Sequence, residues 1–175
     1  MILSRPTSGE FPPAYTPYLA AVPEGEVFAF LQAQMDEVPA LLGGLSEGQA
    51  GCRYAPGKWT LKDLLQHLID SERVFSYRGM RIGRGDTTPL PGYEENAFAA
   101  AAHADRRPMA DLLAEWRALR TGSLALFRGL PDPAWTNTGI ANGLPVTARC
   151  FPFFCAGHTA HHLDIVRKRY LPALK

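Results

Sequence analysis

Five histidines, His67, His103, His158, His161 and His162, are the residues with the most chemistry to offer in this sequence. Three fall within GHTAHHLDIVRKRY and one within LLQHLIDSER. An α-helix turns about 100° per residue, so His158 and His162 differ by about 40° and stand one turn apart on one face. Ile165 continues that face and marks it as core-facing. His161 lies about 60° to the other side of His158 and about 100° from His162, so the three cannot converge. The i, i+4 pair is the better chelate, with the spacing used by H-E-x-x-H sites. His67 stands about 60° from Leu64, at the edge of its own helix's apolar stripe. If the two helices are neighbours, His67 meets His158 and His162 across the core. Three imidazoles with an open fourth position match a catalytic zinc site rather than a closed structural one. Nickel, iron and manganese also accept nitrogen ligands. A single inward histidine is more often a hydrogen-bonded core residue, and it is the convergence of a pair and a third that argues for a metal.

Residues near these histidines offer less. Asp70 and Ser71 lie one turn from His67 and could support an imidazole, though such residues commonly solvate a helix edge. Glu72 and Arg73 read as surface or inter-helix ion pairs. Arg78 projects within about 20° of His67 but some 16 Å further along the helix. It could bind an anionic substrate group, with pairing to an acidic residue the more ordinary role. Cys155 is one turn before His158 at about 60° and reads as a buried core thiol rather than a ligand. His103, in a polar segment, reads as surface. No G-x-S-x-G elbow, phosphate-binding glycine loop or paired-carboxylate signature is present.

The elements that must position these groups are helical. Residues 1–23 carry Pro6, Pro12, Pro13, Pro17 and Pro23 and predict an extended arm anchored by Phe11, Tyr15 and Tyr18. From Glu24 the spacing of Val27, Phe30, Leu31, Met35, Val38 and Leu41 predicts a helix that ends at Gly43-Gly44. Thr60 and Asp63 form a capping-box pattern ahead of Leu61, Leu64, Leu65, Leu68 and Phe75, a helix running to about Gly83. A third helix starts near Pro108, with Met109, Leu112, Trp116, Leu124 and Phe127 among its buried positions. The last runs from about residue 149 or 151 to Tyr170, stopped by Pro172. AFAAAAHADRR adds helical turns, while GRGDTTPLPGYEEN and LPDPAWTNTGIANGLPVTA read as irregular connections and as the expected pocket walls. Four amphipathic helices without a strand pattern predict an all-α four-helix bundle in one domain over residues 1–175.

Composition sets bounds. With 175 residues, 46% hydrophobic and 20% charged, the chain suits one globular domain. Eighteen Lys+Arg against seventeen Asp+Glu exclude binding held mainly by a polybasic surface, so no nucleic acid is expected. No apolar run approaches the roughly 20 residues of a membrane helix. Cys52, Cys150 and Cys155 are odd in number and form no C-x-x-C pair, which favours a reducing cytoplasm over a disulfide framework.

The runs RYAPGKWTLKDLLQHLIDSERVFSYRGMRIGRGDTTPLPGYEENAF and NGLPVTARCFPFFCAGHTAHHLDIVRKRYL resemble the DinB-like superfamily, including its YfiT-type members. Tyr15-x-x-Tyr18 followed by VPEGE fits the same subgroup. The resemblance implies a four-helix bundle of unusual connectivity, commonly a homodimer. It also implies a divalent metal on three histidines, here His67, His158 and His162, with zinc or nickel the leading ions. Implied activities are S-transfer with a low-molecular-weight thiol of the bacillithiol type, metal-dependent hydrolysis of a small-molecule substrate, or a non-catalytic stress-related role.

Overall fold

A computed structural model describes residues 2–174. Its four long helices are α2 (Val27–Leu42), α4 (Leu61–Gly83), α6 (Met109–Arg128) and α7 (Cys150–Ile165). Shorter ones are α1 (Thr16–Ala21), α3 (Glu47–Ala50), α5 (Glu95–Ala102) and α8 (Leu171–Ala173). The α4 start is the capping box expected from sequence: Thr60 Oγ1 accepts from the Asp63 amide at 3.0 Å, and Asp63 Oδ2 accepts from the Thr60 amide at 2.9 Å. In α2, Pro39 has no N–H for the Met35 carbonyl, and Arg117 on α6 donates to that oxygen instead at 2.9 Å.

Helix α4 packs against α6 and α7, and α2 packs against the same two. The consecutive helices α2 and α4 therefore lie on a diagonal of the bundle, with α6 and α7 on the other. Trp116, Phe127, Phe28, Leu65 and Phe151 fill the space between them. Helix α7 is the central element, and every residue from Cys150 to Thr159 is buried. A helix apolar all round must be enclosed on all sides. The bundle covers one side, and the N-terminal arm covers the other.

Here the structure departs from the expected extended arm. Residues Pro13–Tyr15 form a 3-10 turn that leads into α1, which packs on α7. Proline breaks a helix interior but is tolerated in its first turn, where its missing N–H has no partner to lose. Pro13 and Pro17 occupy such places. The close approach of α1 depends on Gly157, where an added Cβ would sit 1.9 Å from the Tyr18 carbonyl oxygen. Glu10 fastens the start of the arm to Arg149 with a two-pronged ion pair at 2.5 and 2.6 Å.

The connection after α6 is not irregular throughout. Strands β1 (Thr138–Ala141) and β2 (Leu144–Thr147) pair antiparallel, with Ala141 opposite Leu144. Their turn, Asn142-Gly143, has φ of 54° and 76°, the left-handed pair that a type I′ hairpin demands. That dipeptide was the available sequence signal. Leu90 joins the hairpin through hydrogen bonds to Ile140 and Asn142, both 2.9 Å, so the two long connections are stitched together. Finally, Pro172 does not end the last helix abruptly. A π-helical stretch, Val166–Tyr170, follows α7 and leads into α8.

Candidate metal centre

His67 on α4 and His158 and His162 on α7 come together as the helix geometry required. One ring nitrogen from each lies within 4.8 Å of the others. His158 Nε2 stands between its partners, 3.0 Å from His67 Nε2 and 3.1 Å from His162 Nε2. Three nitrogens bound to one ion at 2.0–2.1 Å would stand ~3.3 Å apart in tetrahedral geometry, close to the two separations that involve His158, while His67 and His162 stand within 4.8 Å of each other. A neutral imidazole carries one N–H, and three Nε2 atoms that face one another are best served by lone pairs turned inward. That tautomer puts the protons on Nδ1. His162 Nδ1 is buried with no hydrogen-bond partner, and His67 and His158 are only 4% and 5% exposed.

The surroundings are aromatic. Trp59 lies 4.7 Å from the His67 ring, and Tyr18 and Phe75 meet His158 edge-on at 5.3 and 5.8 Å. Burial therefore disfavours the imidazolium form: His67 falls to about 4, His162 to about 3, and His158 well below its ordinary value, with neighbouring imidazoles adding to the effect at the last two. Histidines held neutral at pH 7 are in the ligand form, ready for a divalent ion without a proton to displace.

Two of the three, His67 and His158, line a cavity of ≈ 440 Å³. Its walls include Gly92 and Tyr93 from the first long connection and Asn142 and Leu144 from the second, as expected from sequence. A third wall was missed: Pro12, Tyr15 and Tyr18 of the arm. The signal for it was the absence of any polar face in CFPFFCAG, which requires a cover. The hydroxyls of the half-buried Tyr15, Tyr18 and Tyr93 are pushed above their ordinary range by burial, so they stand protonated as donors.

Other candidates resolve as follows. His161 is exposed and lies edge-on to Tyr18 at 5.5 Å, outside the trio. His103 is an exposed left-handed residue that ends α5. Asp70 and Ser71 do not support an imidazole: Asp70 accepts from Gln66 at 3.0 Å, and Ser71 bonds the Tyr93 hydroxyl at 2.8 Å. Glu72 pairs with Arg120 deep between helices, and Arg73 pairs with Glu115 at the surface. Cys155 is fully enclosed on the core side, its thiol pushed well up by burial, and it does not join the trio. Arg78 faces the cavity, and among the described residues it has no acidic partner.

No described helix is long and apolar enough to cross a membrane. No curated protein matches the chain. Among solved structures, YfiT from Bacillus subtilis superposes with a TM-score of 0.70 at 21% identity, covering 92% of this chain and 94% of that one. It is described as a probable metal-dependent hydrolase with an unusual four-helix bundle topology. The family model for the DinB superfamily matches residues 30–166, a span that includes all three converging histidines. The chain belongs to the DinB superfamily.

Proposed function

We propose that this protein is a divalent-metal-dependent enzyme that transfers the sulfur of a low-molecular-weight thiol, of the bacillithiol type, to a small-molecule electrophile. The observation that carries this reading is the convergence of three neutral imidazoles, two of them lining a cavity that offers hydroxyl donors but no further imidazole. His67, His158 and His162 would hold the ion, zinc or nickel by donor type. When bound, such an ion lowers the pKa of a coordinated thiol or water toward neutrality. Trp59, Phe75 and Tyr18 would keep the trio dry and strengthen its electrostatics. The protonated hydroxyls of Tyr15, Tyr18 and Tyr93 would donate hydrogen bonds to charge that develops on the electrophile.

Hydrolysis is the second reading, favoured by the description attached to YfiT from Bacillus subtilis. It requires a group to return a proton to the leaving atom. The two carboxylates on the cavity wall are Glu94, which caps α5, and the exposed Glu95. Displacement by a thiolate makes the same demand, and we rank S-transfer first on the family likeness alone. On the family likeness we also take the working unit to be a cytoplasmic homodimer, checked by light scattering in solution.

Elemental analysis of gently purified protein beside a His67→Ala, His158→Ala, His162→Ala variant is the first test. About one equivalent of zinc or nickel in the parent and none in the variant is expected. Mass spectrometry of electrophiles incubated with the loaded protein and thiols then separates a thioether or thioester product from a hydrolysed one. Metal-dependent melting without turnover would indicate a non-catalytic metal protein. A metal-free parent after incubation with divalent ions would leave the histidines as packing residues.

A further inference from the structure

Arg78 is the one cation among the described residues lining the metal-site cavity, and its guanidinium is nearly unused. The side chain is 5% exposed, and its single hydrogen bond runs from Nη2 to the Pro91 carbonyl at 2.5 Å. A guanidinium carries five N–H donors. Neither Nε nor Nη1 of Arg78 has an acceptor among the described residues, and no carboxylate pairs with it. Burying a charge without a counter-charge costs several kcal/mol as a rule, and natural cores avoid it. The same bundle shows the ordinary solution at Arg120, whose guanidinium meets Glu72, Leu31, Gln34 and Thr159. Arg78 lacks that solution and instead faces open volume.

The geometry points to Arg78 as the anchor for a carboxylate carried by a substrate that reaches toward His67 and His158. This rests on the cavity being the substrate site. Arg78 and His67 share one face of α4 about 16 Å apart along the axis, and a helical side chain leans back toward the N-terminus, which brings the guanidinium toward the trio. Its fork is preset. The Pro91 carbonyl holds Nη2, and Pro91 follows Leu90, the residue that pairs with the hairpin. Nε keeps its hydrogen and Nη2 keeps its second one, and along that edge of the guanidinium the two can match the oxygens of a carboxylate, as Nε and Nη2 of Arg120 do with Glu72. Tyr15 and Tyr93 lie close enough to bias the guanidinium's charge, and burial disfavours that charge until an anion arrives. Glu94 is engaged with the amides of α5 and Glu95 sits at the exposed rim, so neither neutralises Arg78. The carboxylate could belong to the thiol or to the electrophile; in both cases the recognised group is the same.

The test uses hexanoate and hexan-1-ol as matched probes on ¹⁵N-labelled full-length protein, with and without zinc. The Arg78 Nε–H resonance, assigned by its loss in Arg78→Lys, is expected to shift with hexanoate and not with hexan-1-ol. Hexanoate affinity is expected to fall about tenfold or more in Arg78→Met, with hexan-1-ol affinity unchanged. An unmoved Nε–H resonance in the parent would overturn the proposal, whatever the variants do. So would a hexanoate preference that survives in Arg78→Met. Repeating the titration on the triple histidine variant separates this from the metal reading. Hexanoate binding that persists there belongs to Arg78, and binding lost there but kept in Arg78→Met belongs to the ion. 3-Mercaptopropionate with its amide, and a carboxylated electrophile with its ester, then identify which reactant carries the charge.

Discussion

Two polar clusters are buried along α4 and α7, and they are almost adjacent in sequence: His67 and Glu72 on α4, His158 and Thr159 on α7. The cluster around Arg120 is complete. Its guanidinium is 0% exposed and donates to Glu72 at 2.7–2.9 Å, to the Leu31 carbonyl at 3.0 Å, to Gln34 at 2.9 Å and to Thr159 at 3.1 Å. All five donors are placed, and the partners come from α2, α4 and α7. The histidine cluster is incomplete. Its Nε2 atoms face one another, one Nδ1 has no acceptor, and a cavity lies alongside. A satisfied polar network specifies how helices meet; an unsatisfied one, kept at a cost, waits for something else. Arg78 repeats the contrast one residue at a time.

The comparison breaks most sharply at Arg120. Arg120→Met leaves Glu72 charged and buried without a partner and is expected to cost about 3–5 kcal/mol in chemical denaturation. Adding Glu72→Leu should recover much of that loss, since an ion pair replaced as a unit is often neutral. If Arg120→Met alone costs no more than a surface substitution, the cluster is not a structural one.

The histidine cluster should behave in the opposite way. The triple alanine variant is expected to keep its metal-free melting temperature far better than Arg120→Met. It should lose the stabilisation that zinc gives the parent, about 2.7 kcal/mol at a hundredfold excess over Kd. Calorimetric melts with and without zinc read both effects, and equal zinc stabilisation in parent and variant would move the metal elsewhere.

A third change touches only the histidine side. Gly157→Ala forces a methyl into the Tyr18 carbonyl, and either the arm lifts or α7 shifts, at about 1–3 kcal/mol. Proteolysis is expected to cut within residues 1–23 sooner, with metal content retained. An unchanged digestion pattern would show that α1 is not held by that contact.

The last test is in pH. Burial holds His67 at about 4 and His162 at about 3, against 6.5 ordinarily. As pH falls, the unfolded chain takes up protons first. The metal-free protein therefore keeps its full stability above pH 6.5 and loses it between 6.5 and 4, by up to about 1.4 kcal/mol per pH unit for each histidine. Denaturation midpoints measured across that window should flatten in the triple variant. An equal slope in both would assign the acid sensitivity to other groups.

Much of this was legible along the chain because it depends on local periodicity. The 3.6-residue repeat is enough to group His158 with His162, exclude His161 and locate α4 behind the Thr60–Asp63 capping box. Local rules misled where tertiary cover intervened. Five prolines read as an extended arm, but two of them sit in first turns, and the burial of α7 supplied a reason for the segment to coil. The Asn142-Gly143 dipeptide is a hairpin signal that the reading of this stretch as irregular passed over, and in a two-stranded ribbon the donor missing at Pro145 is tolerable.

The sequence by itself determined which faces turn inward, and with them the three histidines, because helical phase is a property of neighbours within one turn or two. Only the tertiary structure decided what those faces meet. That α7 lies beside α4 rather than across from it, that Glu72 finds Arg120 while Arg78 finds only a carbonyl, and that the arm walls the cavity all depend on helix order around the bundle. Pairing between distant elements is settled by the packing of whole surfaces, which no window along the chain contains.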